Sequence, residues 1–563
     1  MTARLEVDQP VQNTIYSTIA ILSISAIAIF PMIFFKAYTS GDGIFHIRWQ
    51  LLYSQYFWQG NLDPRWMADM NQGFGSPSYF FYMPMGQWAA SLFEPLLPGI
   101  AHAGDRIALS MGASLFVGGL GMFHWLSNVT RMRQAALVGV IIYIIAPYHL
   151  FVDLYYRMAL AEAWGMAFLP WVLAGIKQIS IDRTRPLPLI IGSAGLLLSH
   201  VPSAMIGAVA ASGYAIILLF EKPSVSLAIS YVFSASISFL ISSFHTITAI
   251  QFKYINKSVL FAGRQEPWNW LLGKHAWPDT GMQKVVLALF VGDGTVILIL
   301  GAIAYRCAGD GRLRRYVMAG WALILASMII QTPAMAWFWR LQTPLSMIQF
   351  PWRTMMLEAL ALALIGACAL AALSKMPGFK IYFTAIATVA IAVVACIDLS
   401  LAAYRVKQEK PLSTRSYASI IARLDDDNAY RQGPYEMLST RFGSRRALTQ
   451  SGNGQIVIDQ WQPRRIALHS NLAKADVITL RQFHFTGWQV SIDGGSAQPA
   501  IPGILAAYNA PEGAHRVIAF MPANGFEKMG DLMSIIGVLL AFTWNIKLIL
   551  SRNKHDKPRK QRI

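Results

Sequence analysis

The chain has 563 residues, of which 55% are hydrophobic and only 13% charged, and its net charge is +18. Soluble domains carry about 25% charged residues, so this composition excludes an ordinary soluble enzyme and implies a polytopic α-helical membrane protein. The positive balance fits cytoplasmic anchoring beside anionic lipid. No basic, aromatic-interleaved groove of the size nucleic acid needs is evident, so membrane lipid is an expected partner and nucleic acid is not.

Apolar runs long enough to span a bilayer recur along the chain. Spans are predicted near 14–35, 108–127, 135–150, 163–178, 187–200, 203–220, 224–250, 286–305, 316–332, 354–374, 381–403 and 530–550, about twelve in all. The polar stretch Met1–Asn13 and the length of the first run predict a retained first span rather than a cleaved leader. Basic clusters at Arg131–Arg133, Asp182–Arg185, Arg306–Arg315, Lys375–Lys380 and the tail after residue 550 alternate with the spans. By the positive-inside rule they mark the cytoplasmic side. Three cysteines, Cys307, Cys368 and Cys396, lie in or beside apolar runs without metal-ligand spacing. They read as small core residues, not a disulfide framework.

The opposite side collects long, ionisable, aromatic-rich loops. They are 36–104, 151–162, 199–203, 251–284, 332–353 and 404–529. Three domains are expected: a membrane domain over 1–403 with a large first outer loop at 36–104, an extracytoplasmic β-rich domain over 404–529, and a last span with a basic cytoplasmic tail over 530–563. The β-rich reading rests on period-two alternation in "RRIALHS" from Arg464, "DVITLRQF" from Asp476, "WQVSID" from Trp488 and "HRVIAFM" from His515, with "DGG" at Asp493–Gly495 as a hairpin turn.

Walker, HExxH and GxSxG signatures are absent from the sequence. Chemistry therefore has to come from polar residues gathered on the outer side, where ionisable groups at membrane depth mark function. Asp42 and His46 stand four apart, on one face if the segment is helical. Two readings stand: a helix N-cap with an interfacial histidine, or a general base toward a hydroxyl with His46 orienting it or binding phosphate or metal. Asp42 and His46 would also be two ligands of a divalent metal, with no convincing third, so the cofactor is left undefined. Arg157 in "YYRMALAE" either pairs with Glu162 or holds a phosphate in a guanidinium fork. Arg353 in "IQFPWR" starts a span, where the helix dipole favours acids instead, which points to an anionic partner. His200 sits where an apolar helix meets a Pro-marked turn. Arg65 and Asn71, in "DPRW" and "NQGFGSPSYFFYMP", belong either to an amphipathic strip at headgroup level or to a surface for a sugar ring or lipid chain. Lys253, Arg264, Glu266, His275 and Asp279 share one outer loop and read as solvated charges.

The blocks "GDGIFH", "PRW", "GFGSPSYFFYMP", "DLYYRMALAE", "LLLSH" and "IQFPWR", between Gly41 and Arg353, together resemble the bacterial membrane proteins of the "6-pyruvoyl-tetrahydropterin synthase-related" family. The segment "FHFTGWQVSIDGG" resembles the C-terminal part of YfhO-like proteins. Both families are similar to the GT-C superfamily of membrane glycosyltransferases. That resemblance implies a multi-pass protein of the bacterial cytoplasmic membrane. It would transfer a sugar from a polyprenyl-phosphate-linked donor to a glycan, lipid or protein acceptor on the periplasmic or extracellular face. It implies catalytic roles for Asp42 and His46, with donor-phosphate binding by Arg157, Arg353 and His200. Substrate binding is expected from Arg65, Asn71, Tyr156, Glu162, Gln349 and Trp352. The adjacent Asp-Glu pair that other branches carry after the first span is missing here. The alternatives in other classes are a transporter or flippase, or an assembly protein, for lipid-linked envelope polysaccharide.

Overall fold

The structure is a computed structural model that describes residues 9–252, 280–307, 309, 311–341, 345, 348, 350–375, 380–407, 411, 420 and 436–555. The loop charges Lys253, Arg264, Glu266, His275 and Asp279, and the site candidate Gln349, lie outside the described residues. Among the described residues, eight helical stretches are long and apolar enough to cross a membrane. They are Thr14–Phe34, Ile100–Thr130, Arg133–Arg157, Val201–Glu221, Val225–Gln251, Gly311–Ile330, Pro351–Leu373 and Gly525–Lys547. Two shorter apolar helices, Leu187–Ser199 and Gly294–Arg306, accompany them, and Leu160–Ile181 is a further long helix, with Pro170 inside it.

The burial of these helices sorts them into centre and rim. Met355–Leu373 is buried all round, as expected of a helix whose apolar residues leave no polar face. It packs against Arg133–Ile145 and Gly311–Ile330. The last helix, Gly525–His555, turns most of its large apolar side chains outward, among them Leu532, Ile535, Leu539 and Phe542. That exposure suits a helix facing lipid tails, where apolar side chains need no protein cover.

The second layer is β. Among the described residues, eight antiparallel strands form two sheets: β1 (Ala447–Thr449), β4 (Asp476–Phe483) and β7 (Leu505–Ala510) in one, and β2 (Gln455–Gln462), β3 (Arg465–Leu472), β8 (Gly513–Phe520), β5 (Gln489–Ile492) and β6 (Gln498–Pro499) in the other, in those orders. The longest register, β3 with β8, runs from Arg465 opposite Phe520 to Leu472 opposite Gly513. Alternation drives it: Ile466, Leu468, Val517 and Ala519 point into a core while Arg465, His469 and Arg516 do not. Between β5 and β6, Asp493 and Gly494 both take positive φ, the backbone that a tight two-residue hairpin turn demands.

The β layer does not enclose this core alone. Trp49, Tyr53, Trp66, Phe74, Tyr79 and Phe80 of the loop 36–104 share one continuous apolar cluster with Phe442, Leu480, Phe483, Phe485, Trp488 and Met521. Polar seams lock the two together. The Phe483 N–H donates to the Phe74 carbonyl at 2.6 Å. Trp66 Nε1 donates to Gln482 Oε1 at 2.6 Å, and Gln482 Nε2 returns bonds to the carbonyls of Ala68 and Gly73 at 3.0 and 2.7 Å. Gln482 is fully buried, so each bond satisfies a group that would otherwise cost about 1–3 kcal/mol. The loop 36–104 is thus a floor that carries the β core on one surface and borders the helix ends at its other edge.

Candidate functional site

The segment Gly41–Asp42–Gly43 begins the loop helix Gly43–Trp58. Its backbone is pinned to the other side of the site: the Asp42 N–H donates to the Arg157 carbonyl at 2.7 Å. Gly41 has φ +44, and a Cβ there would meet the Arg157 carbonyl oxygen at 2.4 Å; one on Gly43 would meet the Tyr38 carbonyl oxygen at 2.3 Å. Only two glycines let the chain approach this closely. Gly41→Ala is expected to destabilise the protein by about 2–4 kcal/mol, from left-handed strain and overpacking together. Thermal unfolding of the detergent-solubilised protein measures it, and an unchanged midpoint would show that the contact yields freely.

The result of this pinning is an exposed carboxylate. Asp42 stands at the N-cap position, but its side chain makes no capping bond, and its carboxylate accepts no hydrogen bond among the described residues. Capping therefore does not explain it. One turn on, His46 is buried, edge-on to Trp49 with ring centroids 5.7 Å apart and 6.1 Å from the Tyr82 ring. Burial lowers its pKa to about 4; the Asp42 charge works against this and Arg157 works with it. The ring is therefore neutral at ordinary pH, and its buried Nδ1 has no hydrogen-bond partner among the described residues.

Arg157 is the last residue of a π-helical segment, Tyr148–Arg157, closed by left-handed Met158. Wide turns of this kind occur often at functional sites. Arg157 Nη1 donates to Asp153 Oδ1 at 3.0 Å and to Glu162 Oε2 at 2.8 Å. Glu162 lies in the first turn of Leu160–Ile181, where the helix dipole favours an acid. The Tyr148 hydroxyl donates to Glu162 Oε1 at 2.6 Å, and Arg353 Nε approaches Glu162 Oε2 at 3.3 Å. One buried carboxylate thus holds two guanidinium groups. Arg353 is fixed further by Nη1 donating to the Ile348 carbonyl at 2.8 Å and by the Phe350 ring, 5.0 Å from its guanidinium carbon. Trp352 stacks face to face on that same Phe350 at 4.5 Å. His200 occupies the extended bend between Leu187–Ser199 and Val201–Glu221. Its Nδ1 is 2.8 Å from Ser203 Oγ, and its ring feels the charges of Arg353, Glu162 and Arg157.

The structure therefore brings Asp42, His46, Arg157, Glu162, His200 and Arg353 together, while Trp352 and Tyr156, their neighbours in the chain, are half-buried. It adds three residues that sequence reasoning missed. Tyr148 and Asp153 complete the Glu162–Arg157 cluster; the spacing of Asp153 and Arg157, four apart, was the available signal. Tyr82 is the third. Burial and then Asp42 push its hydroxyl pKa up, Arg353 and Arg157 oppose that, and Glu162 adds to it. Tyr82 is therefore in the same electrostatic neighbourhood, although the sequence offers it only as one ring in an aromatic strip.

Arg65 and Asn71 are not in this group. Arg65 donates through Nε to Asp63 Oδ2 at 2.9 Å and through Nη2 to the Phe244 carbonyl at 2.6 Å, and pairs through Nη1 with Glu527 Oε2 at 3.1 Å. With all three nitrogens engaged, it fastens the loop to two membrane helices. Buried Asn71, with φ +54, donates to the Gly75 carbonyl at 3.0 Å and shapes the turn beneath the β sheets. Among the described residues no group of three or more His, Cys, Asp or Glu side chains is placed to hold a metal ion, so Asp42 and His46 gain no third ligand there.

No family model matches the chain, and no curated protein matches it in sequence. Among solved structures it is similar to cryo-EM structures of the arabinofuranosyltransferase AftD from Mycobacteria. For one, identity is 14% over 69% of this chain and 27% of that one, with a TM-score of 0.42. For a mutant form, identity is 16% over 67% of this chain and 27% of that one, with a TM-score of 0.41. The chain thus spans about a quarter of the length of those structures.

Proposed function

We propose that this chain is a glycosyltransferase of the bacterial cytoplasmic membrane, with about twelve crossings, that transfers a sugar from a polyprenyl-phosphate-linked donor to an envelope acceptor on the extracytoplasmic face. The observation that carries the proposal is one arrangement: an exposed Asp42 carboxylate, free of any capping task, tied through its own backbone to Arg157, which shares Glu162 with Arg353. A base and two forked cations at helix ends suit a reaction between a hydroxyl and a phosphate-bearing lipid.

In this mechanism Asp42 takes the proton from an acceptor hydroxyl. The oxygen attacks the anomeric carbon, and the bond from that carbon to the phosphate oxygen breaks. Polyprenyl phosphate leaves with the electron pair, and the guanidinium groups of Arg157 and Arg353 meet its charge. Among the described residues the bonds of Arg157 to Asp153 and Glu162 both use Nη1, which leaves Nη2 and Nε for this task. Neutral His46 packs behind Asp42 and lends no cationic charge.

Release of labelled sugar from a synthetic polyprenyl-phosphate donor by the purified protein tests the reading. Arg353→Lys is expected to lower transfer about 10²-fold, the cost of one preorganised donor to the leaving group. A single ammonium cannot keep the Glu162 contact, the Ile348 carbonyl bond and the Phe350 stack together. Near-normal transfer by a stably folded Arg353→Lys protein would remove this arginine from the leaving-group site.

A further inference from the structure

A second cluster of cations lies where the β layer meets the loop, outside the site described above. Ala447 of β1 pairs with Leu480 of β4, and the Arg481 N–H donates to the Arg446 carbonyl at 2.8 Å. Arg446 and Arg481 therefore stand directly opposite each other, a like-charge pairing that weakens a strand pair. Arg441 and Arg445, both exposed, flank them. Among the described residues a single acid contact stands against the four arginines, Arg446 Nη2 to Asp69 Oδ1 at 3.5 Å, and no carboxylate there pairs with Arg441, Arg445 or Arg481.

The two facing guanidinium groups are held in place in advance. Arg446 lies 4.9 Å from the centre of the Trp461 ring and Arg481 lies 4.9 Å from that of Phe74. Arg481 also has a structural task, donating through Nη1 to the Gly443 carbonyl at 2.6 Å just after the helix Glu436–Phe442. Its Nε is buried and has no hydrogen-bond partner among the described residues, which leaves a donor to be satisfied. Among the described residues no such hydrogen-bonding task falls to Arg446, whose side chain has the Trp461 ring on one side and only the long, solvent-exposed contact with Asp69 as an ionic partner. Holding a second cation opposite the first costs stability, and an anion shared between the two guanidinium groups would offset that cost.

We infer that this cluster is a binding site for an acidic glycan, one that carries carboxylates along its chain, such as a uronic-acid polymer. Guanidinium forks match carboxylates two oxygens at a time. Position favours an extended chain over a lipid headgroup. Asp69 receives the Tyr56 hydroxyl at 3.1 Å, so the cluster borders the far end of the helix that begins after Asp42, about 21 Å away along its axis. A headgroup fills one end of that distance, whereas a glycan can reach from one end to the other. The acceptor role of such a glycan rests on the proposed transferase reading; its binding does not.

The test uses the full-length protein in nanodiscs of zwitterionic lipid, titrated with tetragalacturonate, with maltotetraose and with inorganic phosphate. The expected result is salt-sensitive binding of the acidic oligosaccharide and none of the neutral one. The double variant Arg445→Gln/Arg446→Gln is expected to weaken binding about 10²-fold, roughly tenfold for each charge-assisted contact. Its thermal midpoint is expected to stay level or rise, since a like-charge contact is relieved. Equal binding of maltotetraose, an unchanged affinity in the double variant, or phosphate binding as tight as that of tetragalacturonate would each overturn the inference. So would displacement of the oligosaccharide by anionic lipid in the nanodisc. Asp42→Asn is expected to bind tetragalacturonate as the parent does, so failure of the transferase reading leaves this result standing.

Discussion

Asp42→Asn is expected to abolish glycosyl transfer, by at least about 10²-fold, while leaving the unfolding midpoint where it was. Asn is close to Asp in size and caps helices as well. Here the swap costs even less, because the Asp42 side chain makes no capping bond and its carboxylate is exposed. What Asn cannot do is accept a proton at neutral pH. The link that places residue 42 runs through its main chain to the Arg157 carbonyl and survives the change. Sugar release from a polyprenyl-phosphate donor and thermal stability are to be measured on the same preparation. Transfer at the parent rate by a stable Asp42→Asn protein would dismiss Asp42 as the base and shift weight to a binding or transport role.

The second large effect is on stability. Glu162→Ala is expected to destabilise the protein by about 3–5 kcal/mol, the cost of leaving a buried ionic partner uncompensated. Glu162 is only 1% exposed and stands against Arg157 and Arg353, themselves 16% and 7% exposed. The Tyr148 hydroxyl loses its acceptor in the same step. Adding Arg353→Leu to Glu162→Ala is expected to recover part of the loss, because the second change removes a charge that the first has stranded. Chemical denaturation of the single and double variants in detergent decides it. A Glu162→Ala protein as stable as the parent would show that water, not Glu162, satisfies the two guanidinium groups.

Much of this was legible in the sequence because it is periodic or local. Strands β3, β4, β5 and β8 fall on the alternating stretches read from Arg464, Asp476, Trp488 and His515, since a half-buried strand writes its two faces into the chain. The short β1 and β6 carry too few residues to show a period. The site candidates gathered well where each sits at a helix end facing the same boundary, as Asp42, Arg157, His200 and Arg353 do. Arg65 was misleading for an instructive reason. A buried arginine with three partners and one that awaits an anion look alike in a sequence, and only the distant Phe244 and Glu527 tell them apart. Tyr82 was hidden in the opposite way, as an aromatic ring among many whose surroundings come from three other segments of the chain.

The core that the loop 36–104 shares with the β layer also sets a schedule for biogenesis. Trp49, Trp66, Phe74 and Phe80 leave the ribosome hundreds of residues ahead of Phe442, Phe483, Phe485 and Trp488, which cover them. At about 5–20 residues per second of synthesis, these rings wait on the order of twenty seconds or more for their partners. Meanwhile the intervening helices insert. During that interval the loop's aromatic surface lacks the side chains that cover it in the finished fold, the kind of transient exposure that favours misassembly. A chain truncated before residue 442 would carry a nearly complete set of membrane helices and still be an unfinished fold. Its loop would lack a lid, so quality-control proteolysis is expected to clear it faster than the loss of a peripheral domain would suggest.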